Sequence, residues 1–264
     1  MLPRGEDVAR GALRVSGLSV HFGGLVALSE VSLDISAGEV LGVIGPNGAG
    51  KTTLFNVICG FVAPREGDVL WRGHSLRRTP THRRASLGIA RTLQGVGLFP
   101  ALSVLENVMA GADHRRRSGL LSGLLGLPRA DRDESELRAI ASTMLERLDL
   151  AEVAQRLPDS LPYALQKRVA LARALVCEPQ LLMLDEPAAG LDSGDIARLR
   201  ELISELKGSM AVMLVEHRID VVTELCDRVA VLDFGRLIAS GPPEAIKSDP
   251  KVLEAYLGAE QPYA

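Results

Sequence analysis

The chain has 264 residues, of which 47% are hydrophobic and 24% charged, and its net charge is −3. That length and apolar content exclude a disordered chain and allow one large domain or two closely joined ones. The slightly acidic balance argues against a dedicated nucleic-acid binder, which needs a basic face. Three scattered cysteines without CxxC spacing argue against a zinc site or disulfide scaffold and fit reduced thiols in the cytosol.

Met1 to Gly17 is charged and holds no continuous apolar run, so no signal peptide is expected there. No window reaches the roughly eighteen uninterrupted apolar residues of a spanning helix, so a membrane matters to this chain only through a partner. Leu13 to Phe22 and Ser29 to Ile35 alternate and carry turn residues, which predicts an antiparallel sheet attached to the edge of the core. Val40 to Ile44 is uniformly apolar, as are Leu181 to Leu184, Ala211 to Val215 and Val229 to Leu232. Strands of that kind belong in a parallel sheet covered on both faces. Helical patterns lie between them, at Thr52 to Cys59, Ile196 to Lys207 and Ile219 to Cys226, so the class is α/β. From Ser103 to Val176 only helices are expected, which reads as a helical subdomain inserted into the α/β core. Inside it, residues 114–128 run from an Arg-rich start into an apolar, Gly-rich stretch. A buried hairpin turn there is favoured over contact with lipid or a membrane partner.

Two segments carry chemistry. Gly45-Pro46-Asn47-Gly48-Ala49-Gly50-Lys51-Thr52 fits the phosphate loop GxxxxGK[ST], follows a predicted strand and opens a predicted helix. Its glycines let backbone N–H groups curl around phosphate oxygens, and the helix N-terminus adds a positive field. Lys51 would bridge the β- and γ-phosphates, and Thr52 would offer its hydroxyl to Mg²⁺. Leu181-Leu182-Met183-Leu184-Asp185-Glu186 is an apolar strand that ends in two carboxylates. Asp185 would hold the Mg²⁺, and Glu186 would polarise the attacking water as a general base.

With both segments in one chain, the sequence resembles the ATP-binding subunits of ABC transporters over nearly its whole length. The resemblance implies a P-loop NTPase core with a mostly parallel sheet, an N-terminal antiparallel β subdomain and an inserted helical subdomain. One ABC ATPase domain would cover residues 12–258: a core of 12–94 and 178–240, a helical subdomain of about 95–177 and a helical tail of 242–258. It further implies ATP hydrolysis with Mg²⁺, in a dimer that sandwiches two nucleotides head to tail. Nucleotide would be held by Gly45 to Thr52 and Thr53, with Phe22 stacked on adenine. Gln94 in Arg91-Thr92-Leu93-Gln94 matches the glutamine near the metal and the attacking water, so the metal set would be Thr52, Gln94 and Asp185. Ala189-Gly190-Leu191-Asp192 matches the loop that spans the dimer, and His217 matches the switch histidine at the γ-phosphate. The catalytic set implied is Glu186, His217, Lys51 and Gln94.

One segment departs from the family. Where Leu-Ser-Gly-Gly-Gln is usual, this chain has Leu161-Pro162-Tyr163-Ala164-Leu165-Gln166. Proline, acceptable at a first helical position, offers neither hydroxyl nor N–H, and Ala164 places a Cβ where glycine allows close approach. The site built with this helix would serve ATP poorly. A heterodimer with a second ABC ATPase subunit is therefore favoured, with a homodimer possible.

Phe22 to Leu28, Leu98-Phe99-Pro100, Glu186 to Leu191 and the tail through Ala255-Tyr256-Leu257-Gly258 are similar to ATPase subunits of branched-chain amino acid importers. The resemblance places the chain peripherally on the cytoplasmic face of the inner (plasma) membrane, docked on integral membrane permease subunits and without nucleic acid. Urea import and lipopolysaccharide export are alternatives, as is a soluble, non-transport ABC ATPase. The presence of Glu186 and His217 argues against a regulator with dead chemistry.

Overall fold

A computed structural model describes residues 11–92, 95–113 and 128–258 of the chain. It divides into two compact units: one drawn from the chain up to Ile89 together with the chain from Gln180 onward, the other running from Ala90 to Pro179.

The first unit holds two sheets. Strands β1 (Gly11–Phe22), β2 (Leu25–Ser36), β4 (Glu66–Trp71) and β5 (His74–Ser75) form an antiparallel sheet in the order β2-β1-β4-β5. The expected attachment of this sheet to the edge of the core is replaced by a sheet of its own that packs face-on. In β2, Val31, Leu33 and Ile35 are buried while Glu30, Ser32 and Asp34 face out. This alternation lets one face pack on a core while the other meets water. The inward face joins Leu41, Val43, Phe55, Ile58, Met183 and Met213 in a single apolar cluster. Full burial of a side chain such as Phe55 is worth about 1.5–3 kcal/mol.

The second sheet has the order β10-β9-β3-β8-β7-β6. It comprises β3 (Val40–Ile44), β6 (Ile89–Arg91, of which only Ile89 falls in the first unit), β7 (Leu181–Asp185), β8 (Ala211–Val215), β9 (Arg228–Asp233) and β10 (Arg236–Gly241). Strand β3 runs parallel to β8 and β9, β7 parallel to β8, and β10 antiparallel to β9. Every residue of β3, β7 and β8 is buried, as uniformly apolar strands covered on both faces require. Helices α1 (Lys51–Cys59), α6 (Ser193–Lys207) and α7 (Ile219–Leu225) intervene between these strands. Strands β4, β5, β6 and β10 have no counterpart in the sequence reading. They are short or half-exposed, and Glu66-Gly67-Asp68 opens β4 without an apolar rhythm.

In the second unit, α3 (Val104–Gly111) starts from a reciprocal cap: Ser103 accepts from the Glu106 N–H while the Glu106 carboxylate accepts from Ser103. Helix α4 (Pro128–Arg147) buries Leu137, Ala141 and Leu145 at four-residue spacing. Helix α5 (Tyr163–Leu175) passes so close to α3 that a Cβ on Gly111 would lie 2.1 Å from the Arg173 carbonyl oxygen. No strand occurs among the described residues between Ser103 and Val176. The Arg-rich run lies outside the described residues except for Pro128, which opens α4. Among the described residues no helix is long and apolar enough to cross a membrane, and all three cysteines are buried without a disulfide.

Candidate functional site

Sheet register brings the chemistry to one end of the first unit. Val43 pairs with Val215, and Val215 pairs with Asp185, so β3, β8 and β7 finish side by side. The residues that follow are Gly45, Glu216 with His217, and Glu186. Ligands of open α/β sheets bind outside these carboxyl ends.

The phosphate loop leaves β3 at Gly45, whose φ is 150° and whose Cβ, if it had one, would stand 2.0 Å from the Leu232 carbonyl oxygen. Gly50, at φ 100°, precedes α1 without a side-chain cap, and a Cβ there would meet the Ala27 carbonyl oxygen at 2.6 Å. No other residue type fits at either position. Asn47, Gly48 and Thr52 are exposed, Pro46, Gly50 and Thr53 half-buried, and Ala49 and Lys51 buried. Lys51 Nζ donates to the Gly45 and Pro46 carbonyl oxygens at 2.6 and 2.8 Å. Burial lowers the pKa of this ammonium, and the opposing fields of Glu186 and Asp185 offset part of the effect.

Asp185 is the last residue of β7 and is buried. Glu186 follows at φ 47°, with its N–H bonded to the Val215 carbonyl oxygen at 2.9 Å. His217 lies just past the end of β8 with its imidazole half-exposed. Phe22 ends β1 at a tight Gly23-Gly24 turn and is 49% exposed, leaving a free aromatic face. Gln94 lies outside the described residues. Asp192, in the loop expected to span a dimer, caps its own helix: its carboxylate accepts from the Asp195 N–H at 2.8 Å. Among the described residues no group of three His, Cys, Asp or Glu side chains is placed to hold a metal ion by itself.

In the second unit, Pro162 is the N-cap of α5, with φ −54°, and not its first helical residue. Helix α5, like α1, starts without a side-chain cap. Gln166 N–H bonds the Pro162 carbonyl oxygen at 3.1 Å, and Gln166 Nε2 donates to the Leu161 carbonyl oxygen at 2.9 Å. The glutamine thus closes its own first turn.

Supports that the motifs did not point to surround these elements. Gly235, in the β9–β10 turn, donates its N–H to the Ala49 carbonyl oxygen at 3.1 Å and accepts from Ser29 N–H at 2.8 Å, tying the phosphate loop to β2. Tyr256, from the C-terminal helix α9 (Pro250–Gly258), lies against Gly45; burial raises the pKa of its phenol, and the Gly45 backbone opposes the shift. Arg84 is buried, and its guanidinium bonds the carbonyl oxygens of Val57 (2.9 Å), Ile58 and Leu76 (3.1 Å). It thereby satisfies the Ile58 carbonyl at the end of α1 and gives Val57, which also accepts from the Gly60 N–H, a second donor. In the second unit, Asn107 is fully buried and its Nδ2 bonds Phe99, Leu102 and Ser103 carbonyl oxygens at 3.0–3.1 Å. Arg173 Nη1 reaches the Gly97 carbonyl oxygen at 2.8 Å. In the sequence such a support shows only as an Arg or Asn within a helical stretch, with no sign of its burial or its partner.

Residues 28–189 match the family model described as ABC transporter, and residues 236–261 match one described as branched-chain amino acid ATP-binding cassette transporter. The chain is 42% identical to the high-affinity branched-chain amino acid transport ATP-binding protein LivG of Escherichia coli, over 93% of this chain and 97% of that protein. It is 38% identical to BraF, the protein so described in Pseudomonas aeruginosa, over 95% and 99%. Among solved structures, a nucleotide-free ATP-binding cassette from an ABC transporter matches with a TM-score of 0.82 at 32% identity, covering 93% of this chain and 98% of that one. The chain belongs to the ABC transporter family, as one of its ATP-binding, ATP-hydrolysing cassette subunits.

Proposed function

We propose that this chain powers the import of branched-chain amino acids, as one of two ATPase subunits bound to integral membrane permease subunits. The observation that carries the reading is the match to two branched-chain amino acid transport proteins over nearly the whole of each chain, together with the separate match of residues 236–261. In this reading the chain sits peripherally at the cytoplasmic face of the membrane. Residues 12–94 and 178–240 form its nucleotide-binding core, about 95–177 its helical part and 242–258 its tail.

Gly45 to Thr53 cradle the phosphates, where the missing Cβ atoms at Gly45 and Gly50 leave room for backbone alone. Phe22 offers its exposed ring to adenine. Lys51 exchanges the Gly45 and Pro46 carbonyl oxygens for phosphate oxygens, and Glu186 orients and deprotonates the attacking water. His217 donates toward the terminal phosphate, and Gln94 completes the site. Thr52 and Asp185 supply the hard oxygen donors that would hold Mg²⁺. Bound there, the ion would neutralise charge on the phosphate oxygens. A metal with so few protein ligands takes the rest from phosphate and water, as Mg²⁺ does. Because Pro162 and Ala164 weaken the start of α5 as an ATP site, the favoured partner over this chain's phosphate loop is a second ABC ATPase subunit.

Uptake of labelled leucine into proteoliposomes holding the assembled transporter tests the reading. In vesicles whose ATPase subunits face the lumen, ATP enclosed in the lumen drives uptake, and Glu186→Gln abolishes it while ATP still binds, with turnover lowered by about 10²–10³-fold. ATP hydrolysis without any uptake of leucine, isoleucine or valine would overturn the substrate assignment. Full turnover by Glu186→Gln would overturn the site assignment.

A further inference from the structure

Glu216 is used by none of the roles above, and its burial is unexpected. It directly follows β8, where a carboxylate normally turns to water, yet it is 0% exposed. One of its carboxylate oxygens, Oε1, accepts from the Ala188 N–H at 2.7 Å. The other, Oε2, lies 3.3 Å from the amide nitrogen of His217 and 3.8 Å from that residue's Nδ1. The Glu216 N–H in turn donates to the Val43 carbonyl oxygen at 3.3 Å, on the strand that leads into the phosphate loop. A single residue thus touches the strand before the phosphate loop, the turn after Glu186 and the strand end that carries His217.

Burying a carboxylate costs stability unless hydrogen bonds replace its water. Here the replacement donors include the backbones of the two segments that carry Glu186 and His217. Glu186 itself sits at φ 47°, a conformation that a residue with a Cβ keeps only when its surroundings enforce it. The Ala188 N–H bond to Glu216 anchors that turn two residues downstream of Glu186.

We propose that Glu216 is a positioning residue for ATP hydrolysis. It holds the Glu186–Ala189 turn and His217 in fixed relation to each other and never touches the nucleotide. The proposal rests on the reading of Glu186 and His217 as hydrolytic residues, so its test has to separate the two. Shifts of an ångström in reacting groups cost up to about 10²-fold in rate, whereas nucleotide affinity comes mainly from the phosphate loop.

The experiment compares ATP turnover and fluorescent-ATP binding for wild type, Glu216→Ala, Glu216→Gln, Glu216→Asp and Glu186→Gln, each as the full-length chain assembled with its membrane subunits. Glu216→Ala lowers kcat by at least about tenfold while the KM for ATP stays within about twofold, the pattern of a loss confined to the transition state. Glu216→Gln keeps an acceptor for the Ala188 N–H and recovers kcat to within about threefold of wild type. If the alanine variant does not fold, Glu216→Asp decides: its shorter side chain cannot span both partners, so kcat falls at unchanged KM. Wild-type kcat in the alanine or aspartate variant overturns the proposal. So does a rise in KM that accounts for the loss, or a glutamine variant as slow as alanine. Unimpaired Glu186→Gln would instead overturn the reading of Glu186, and the positioning role with it.

Discussion

Helices α1 and α5 both begin without a side-chain cap, and they reach that state by opposite means. Before α1 stands Gly50 at φ 100°, in a loop where a Cβ at Gly45 or Gly50 would collide with the Leu232 or Ala27 carbonyl oxygen. Before α5 stands Pro162 at φ −54°, with Ala164 behind it and the Gln166 side chain folded onto the Leu161 carbonyl oxygen. A helix N-terminus attracts anions through its dipole in either case. Close backbone donors add to that field only where side chains make way for them. In the proposed reading, this difference makes the start of α1 the strong phosphate site and the start of α5 the weak one. The opposite ends differ as well: Arg84 binds the carbonyls at the end of α1, whereas Arg173, near the end of α5, spends its guanidinium on Gly97.

The sharpest way to break the contrast is Gly45→Ala. Its Cβ would overlap the Leu232 carbonyl oxygen, at 2.0 Å, so the loop has to leave its present path. ATP affinity is expected to fall by about 10²-fold or more, the size of effect that removing preorganised donors has elsewhere. Isothermal titration with ATP measures it, and unchanged affinity would show that the glycine cradle is not what binds phosphate. Next in size is Arg84→Met, which keeps bulk and removes the donors to Val57, Ile58 and Leu76. Val57 and Leu76 keep the Gly60 and Thr79 N–H donors, so stranding the Ile58 carbonyl should cost about 1–3 kcal/mol of stability, read as a lowered midpoint in denaturant. The smallest effect is expected from restoring the weak helix start with Pro162→Ser and Ala164→Gly together. ATP turnover by the chain without a partner ATPase should rise by about three- to tenfold, in line with one recovered hydrogen bond of about 1 kcal/mol. No change in steady-state turnover would mean that the helix dipole alone suffices, and the case for a heterodimer would lose its main support.

Much of the site could be read from local pattern because its chemistry is local. The run from Gly45 to Thr52 needs a strand before it and a helix after it, and both are present as β3 and α1. The carboxylates of Asp185 and Glu186 follow a strand whose uniform apolarity marks it as covered on both faces. These features obey short-range rules: glycine where φ is positive, apolar residues where both faces are buried, and helix periodicity between. For the same reason the short or half-exposed strands β4, β5, β6 and β10 left little trace, since a few residues with one wet face show no rhythm.

The residues by themselves determined the α/β class, the phosphate loop, the carboxylate pair and the departure at Pro162. Only the tertiary structure decided that Glu216 is buried and faces Ala188 and His217. It alone showed that Arg84 closes the end of α1, that Gly235 ties the phosphate loop to β2, and that Pro162 caps α5 from outside the helix. Apart from Pro162, whose partner Gln166 lies one turn on, each of these depends on a partner far along the chain. Whether a polar side chain meets water or a distant backbone N–H is settled by the fold that brings the two together.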